Sequence, residues 1–206
     1  MDHIYRYQRY IYDLTRKHYL LGRDKLIAGL NPPQNGVVLE VGCGTARNLI
    51  KAAKRYPTCQ FYGFDVSLVM LEEAKKSIAR AKLQDRIQVA YGDATNFDGA
   101  DAFGLAQYDR VFISYALTMI PPWRDVLKHV MTLVAEQGSV HVIDFGQQQD
   151  LPAWFRKMLF MWLRQFSVYP QAELKPELEK VTEQNDVSLT FQSLYRGYSD
   201  YAILQR

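Results

Sequence analysis

Three acidic side chains and one glycine loop carry the chemistry that stands out in this sequence. In LEVGCGTARN (39–48), Gly42 and Gly44 directly follow an apolar run, VVLEV (37–41), of buried-strand composition. Glycines there let the backbone turn sharply and bring its N–H groups to a ligand at the start of the next helix. A dinucleotide fingerprint would continue to a third glycine at position 47, making room for a pyrophosphate. Arg47 stands there instead, and Glu40, just before the loop, would repel a diphosphate. Asp65 closes a second run in FYGFD (61–65), about twenty residues past the glycines, where a carboxylate can accept from both hydroxyls of a ribose. Asp93 follows a third run, in YGDATNF (91–97), placed to accept from an adenine amino group. Singly, each acid is an ordinary cap or turn former. Together, one at the carboxyl end of each of three successive strands, they describe a site for an adenosine without phosphates.

Those positions require a sheet that ends its strands on one rim. Apolar runs at 37–41, 59–64, 86–91, 108–115 and 139–145 read as strands, with helical patterns between them. One helix opens at Ser67 with Leu71, Ala74, Ile78 and Ala81 on one face, and another begins after Pro122. VSLTFQSLYRG and YSDYAILQR alternate at period two around a turn, as a closing hairpin. The expected fold is α/β and Rossmann-like: a doubly wound, mostly parallel seven-stranded sheet with an antiparallel edge strand from the C-terminal hairpin. One domain over 1–206 is expected, with a helical cap at 1–30 and an amphipathic helical insertion at 151–170.

Composition narrows the partners. The chain has 206 residues, 48% hydrophobic and 23% charged, and a net charge of +3, too small an excess for a general nucleic-acid binder. Its two cysteines, Cys43 and Cys59, form no CxxC pair, so neither a zinc site nor a disulfide framework is indicated, and a reduced, cytoplasmic setting is the default. The start, MDHIYRYQRY, lacks the apolar core of a signal peptide. No stretch approaches the ~20 apolar residues that span a bilayer.

On the glycine loop and its acids the sequence resembles the class I methyltransferases, which implies S-adenosyl-L-methionine as cofactor and S-adenosyl-L-homocysteine as product. A sulfonium with an ammonium-bearing tail suits an anionic rim better than a phosphate nest would. The resemblance assigns cofactor contacts to Glu40, Gly42, Cys43, Gly44, Arg47 and Asn48 in the loop, Asp65 with Val66, Asp93 with Ala94, and Ser114. The methionine carboxylate is usually held by residues ahead of the loop, where Tyr12, Tyr19 and Arg23 are the candidates.

The acceptor wall in this family follows the fourth strand. Enzymes that methylate nucleic-acid amines carry Asn/Asp-Pro-Pro-aromatic there; this chain has ISYALTMIPPW (113–123), which argues against DNA or RNA bases. Tyr115 is the catalytic candidate, as an aromatic or hydrogen-bonding wall beside Ser114. His3, His18, His129 and His141 lie on different elements, and neither a general base nor a metal-ligand set stands out. That suits attack by a neutral amine, with rate from proximity and desolvation and with aromatic faces stabilising the forming quaternary ammonium. Tyr5, on a stripe with Tyr12 and Tyr19, is one such aromatic.

Longer stretches narrow the resemblance: YRYQRYIYDLTRKHYLLGRDKLI (5–27), VLEVGCGTARNLI (38–50), SYALTMIPPW (114–123), IDFGQQQDLPAWFRKMLFMWLRQFSVYP (143–170) and YRGYSDYAIL (195–204). These resemble the betaine-lipid N-methyltransferases, which trimethylate diacylglyceryl-homoserine. Ala46, where glycine is more typical, and the apolar FSVYP are departures. The resemblance implies a lipid substrate at a membrane surface, the enzyme making diacylglyceryl-homoserine as a partner, and a peripheral position on the inner membrane face. Phosphatidylethanolamine, a quinone or a small metabolite remain alternative acceptors. Within 151–170, Phe155, Met158, Leu159, Trp162 and Phe166 fall on one helical face, with Arg156, Lys157 and Arg164 as cations, the composition of an interfacial helix. Phe155, Trp162 and Arg156 are therefore the expected membrane or substrate contacts.

Overall fold

The computed structural model describes residues 19–165 and 168–206. One seven-stranded sheet runs in the order β3-β2-β1-β4-β5-β7-β6. Strands β1 (Val37–Val41), β2 (Gln60–Asp65), β3 (Ile87–Tyr91), β4 (Tyr108–Ser114) and β5 (Val134–Phe145) are parallel. Val41 is level with Phe64 and Ile113, and Asp65 with Tyr91, so β1 to β4 finish on one rim. The hairpin strands β6 (Ser188–Leu194) and β7 (Ser199–Gln205) pair antiparallel, and β7 inserts between β5 and β6. β7 buries most of its residues whereas β6 is exposed or half-exposed along its length, so the more apolar strand takes the interior and β6 the edge.

Alternate residues of each strand face opposite helical layers. On one side Val38, Phe61, Phe112 and Ile143 meet α1 (Arg23–Gly29), α2 (Arg47–Arg55), α3 (Leu68–Arg80) and, by Leu159 and Leu163, α6 (Ala153–Arg164). On the other, Leu39, Val41, Val111 and Val142 meet α5 (Trp123–Thr132) and α7 (Leu174–Asn185). Ser67 caps α3 by accepting from the Met70 N–H at 3.4 Å, as its sequence implies. The short α4 (Gly99–Phe103) was not expected; Asp98 caps it by accepting from the N–H groups of Ala100 and Asp101.

Two expectations change. β5 begins at Val134 rather than Ser139, with a register irregularity opposite Tyr108 and Arg110 that absorbs the extra residues. The helical cap expected over 1–30 is interrupted before α1: Gly22 adopts φ 82°, and a Cβ there would lie 2.5 Å from Ile143 Cδ1. The chain turns at Gly22 because only glycine fits against the sheet in that conformation. Residues 1–18, with Tyr5 and Tyr12, lie outside the described residues.

Candidate active site

The glycine loop leaves β1 with both glycines in the left-handed region, Gly42 at φ 67° and Gly44 at φ 52°. A Cβ on Gly42 would meet Ala116 Cβ at 2.9 Å, so the segment after β4 closes against the loop there. At Gly44 a Cβ would meet nothing within 4 Å, leaving open space before a backbone that only glycine adopts cheaply. Cys43 between them is buried, its N–H donating to the Phe64 carbonyl at 3.0 Å. Burial pushes its thiol well up, helped by Glu40 and Asp65, so it packs rather than reacts. Ala46, at φ 61° and fully buried, precedes α2. The left-handed conformation costs a non-glycine residue roughly 1–2 kcal/mol, while its buried methyl contributes about 0.8 kcal/mol. Ala46→Gly should therefore leave stability within about 1 kcal/mol; a chemical-denaturation midpoint shifted by much more would contradict this balance.

Glu40 shares its face with Val38 and Phe112, a carboxylate inside an apolar layer. Its Oε1 accepts from Asn48 Nδ2 at 2.8 Å, while its Oε2 is buried without a partner. Burial raises this carboxyl to about 8, against the opposing pull of the Asn48 hydrogen bond and the Arg23 charge. The same coupling brings Arg23, ahead of the loop, into electrostatic reach of the site. Asp65, at the end of β2, ties the neighbouring segments together: Oδ2 accepts from the Gly44 N–H at 2.8 Å and Oδ1 from the Ser67 N–H at 2.9 Å. Asp93 is exposed after β3, with Oδ1 accepting from the N–H (2.8 Å) and hydroxyl (2.7 Å) of Thr95, which hold its carboxyl below the usual range. It forms the turn and stays ionised on the rim.

Close in sequence to Asp65 and Asp93, large apolar side chains are left exposed. Val66 is 63% exposed, and Leu68 at 64% and Tyr91 at 59% are exposed as well, which the sequence reading did not single out. Their signal was available: large apolar residues at strand and helix ends on a rim otherwise made of acids. A flat adenine would cover such side chains. Ala94 is buried, and Phe97 stacks on Phe64 with centroids 3.8 Å apart, fixing the loop after β3. Arg47 opens α2 as an exposed residue.

On the acceptor side, Ser114 ends β4 with its Oγ buried and without a hydrogen-bond partner. Tyr115 then leaves the strand at φ 56°. Its hydroxyl donates to the Leu21 carbonyl and its ring packs edge-on to Phe145 at 4.7 Å. The wall is thus a buried ring pinned to the segment before α1, with its phenolic proton held up by burial. Sequence reasoning missed Asp144. This buried carboxylate accepts from the Thr118 hydroxyl at 2.9 Å and from the Thr118 and Phe145 N–H groups at 3.2 and 2.8 Å. It staples the turn Leu117–Met119 to β5 and so positions the wall. His129 is engaged by the Phe97 carbonyl. His141 sits between the Ser139 and Tyr201 hydroxyls, its value lowered by burial to about 3.

Helix α6 presents a different face from the one expected. Leu159 and Leu163 are buried, and Phe155 and Trp162 pack against the same core, Trp162 edge-on to Tyr19 at 4.7 Å. Phe155 and Trp162 therefore brace the core instead of facing outward, and the Tyr19 ring joins them; Arg156 is exposed. The sequence is apolar on both sides of this helix, and packing selects the side with Leu163. Phe166 lies outside the described residues.

The described residues fit S-adenosylmethionine: an open glycine turn, a buried carboxyl oxygen without a hydrogen-bond partner, a ribose-height carboxylate and exposed apolar side chains beside it. A family model described as a methyltransferase domain matches residues 38–138. An uncharacterized protein of Rickettsia prowazekii is 37% identical over 150 residues, 72% of this chain and 57% of that protein. A demethylmenaquinone methyltransferase of Lactobacillus johnsonii is 29% identical, over 61% of this chain and 50% of that enzyme. A SAM-dependent methyltransferase structure from Aquifex aeolicus superposes with TM-score 0.67 at 14% identity, covering 92% of each chain, a likeness of fold. The chain spans 26% to 57% of the lengths of the first curated relatives it matches. The matched stretch, residues 38–138, is a methyltransferase domain, set in the Rossmann-like sheet that S-adenosylmethionine-dependent methyltransferases share.

Proposed function

We propose that the protein methylates the amine of diacylglyceryl-homoserine, building the trimethylated betaine-lipid head group. The observation that carries this reading is the acceptor side itself: a buried aromatic wall at Tyr115 with no imidazole free beside it among the described residues. When bound, S-adenosylmethionine supplies an electrophilic methyl group. What the chain adds is placement: Asp65 and the glycine loop orient the ligand, Asp144 and Thr118 fix the wall, and the apolar surroundings exclude water. A neutral amine needs little more, since its proton can leave to solvent after attack. The resemblance through 143–170 and 195–204, outside the cofactor site, supports the lipid acceptor. Among the described residues no helix is long and apolar enough to cross a membrane, so a lipid substrate would be met at the surface.

A second reading, methylation of a quinone or another small acceptor, is favoured by the demethylmenaquinone methyltransferases and the malonyl-[acyl-carrier protein] O-methyltransferase among the relatives. Mass spectrometry of lipids from cells given this chain and a source of diacylglyceryl-homoserine separates the two. Mono-, di- and trimethylated homoserine lipid is expected; unmodified homoserine lipid beside newly methylated quinone would overturn the lipid reading.

A further inference from the structure

We propose that α6 docks the protein on an anionic lipid surface through Trp154, Met158 and Met161, flanked by Lys157 and Arg164. These three apolar residues recur at i, i+4 and i+7, which places them on one stripe of the helix. All three are exposed, at 69%, 49% and 59%, on the side opposite the buried Leu163. A tryptophan and two methionines left in water on one helix face amount to an unpaired binding surface.

Charge identifies the occupant. Residues 151–172 contain no Asp or Glu, while Arg156, Lys157 and Arg164 are all exposed. Lys157 and Arg164 are seven residues apart, so they line one flank of the apolar stripe. An aromatic and thioether stripe bordered by cations matches a bilayer interface with anionic head groups: the apolar side chains enter the acyl boundary and the cations meet the phosphates. A second copy of this chain fits less well, because a two-fold contact would set Lys157 and Arg164 against their own counterparts. The inward side of the helix leads to Tyr19 and the Tyr115 wall through Trp162 and the shared core, so docking would set the acceptor side near the bilayer. The proposal deepens the lipid-substrate reading and rests on it for its purpose, though not for its test.

The test is sedimentation of the full chain with vesicles of equal phosphatidylglycerol and phosphatidylcholine, compared with pure phosphatidylcholine. The wild type should sediment with the anionic vesicles, and the emission of Trp154 should shift to the blue. Trp154→Ser with Met161→Ser should reduce the bound fraction at least tenfold while circular dichroism and cofactor affinity stay unchanged, since neither side chain is buried. Lys157→Gln with Arg164→Gln should also weaken binding and flatten its salt dependence. The proposal fails if the wild type stays in the supernatant or the Trp154→Ser/Met161→Ser variant sediments like wild type. It fails equally if light scattering shows a dimer that this variant dissolves, without vesicle binding. Because no turnover is needed, vesicle binding without lipid methylation would overturn the substrate reading and leave the docking surface standing.

Discussion

Asp65→Ala is expected to weaken S-adenosylmethionine binding by roughly a hundredfold or more. The carboxylate stands where both ribose hydroxyls would donate, and hydrogen bonds to a charged group contribute about 1.5–3 kcal/mol each. The loss is compounded locally. Asp65 also accepts from the Gly44 and Ser67 N–H groups, so its removal frees the glycine turn from the start of α3. Asp65→Asn, which keeps acceptor shape but not charge, should fall between wild type and alanine. Asp93→Ala should weaken binding less, because Asp93 is exposed and its Oδ1 already serves Thr95. Isothermal titration on folded variants checks the series; unchanged affinity in Asp65→Ala would remove the ribose assignment.

Glu40 should make both stability and cofactor binding depend on pH. Its carboxyl is raised by burial from an ordinary 4.5 to about 8, so the native state holds a proton that the unfolded chain has released. Stability is then unaffected below about 4.5, declines as pH rises from 4.5 to 8, and levels off above, a total on the order of a few kcal/mol. Asp144, raised by burial to about 6, acts in the same direction over its lower window. Glu40→Gln keeps an acceptor for Asn48 and should flatten the part of the melting-temperature profile between pH 6 and 8, where Asp144 no longer contributes. A cationic ligand favours the ionised carboxylate, so binding near pH 7 should release close to one proton. Titration in buffers of different ionisation heat measures that release; its persistence in Glu40→Gln would assign the proton elsewhere.

How much of this was legible in the sequence depends on the range of the interaction. The strand ends could be read because period and punctuation are local, and Glu40, Asp65 and Asp93 lie next to the end of, at the end of, and just after an apolar run that fixes their height on the sheet. The role of Asp144 could not, since its partner Thr118 is 26 residues away and only the adjacency of β4 and β5 unites them. Helix α6 shows the limit of periodicity: Phe155, Leu159 and Trp162 form one apolar stripe, Trp154, Met158 and Met161 another, and the pattern alone does not say which turns inward. Packing of Leu159 and Leu163 onto the core decides it. Tyr115 is legible as the aromatic that follows β4, but its positive φ and its bond to Leu21 arise from contact with a segment 94 residues earlier.

The central claim, methyl transfer to an amino-acid lipid, is tested most directly by offering the purified protein methyl-labelled S-adenosylmethionine with three acceptors in identical vesicles. These are diacylglyceryl-homoserine, phosphatidylethanolamine and demethylmenaquinone. The account predicts that label enters the homoserine lipid stepwise up to the trimethyl product and leaves the other two essentially unlabelled. Label in demethylmenaquinone or phosphatidylethanolamine, with the homoserine lipid unchanged, would contradict it.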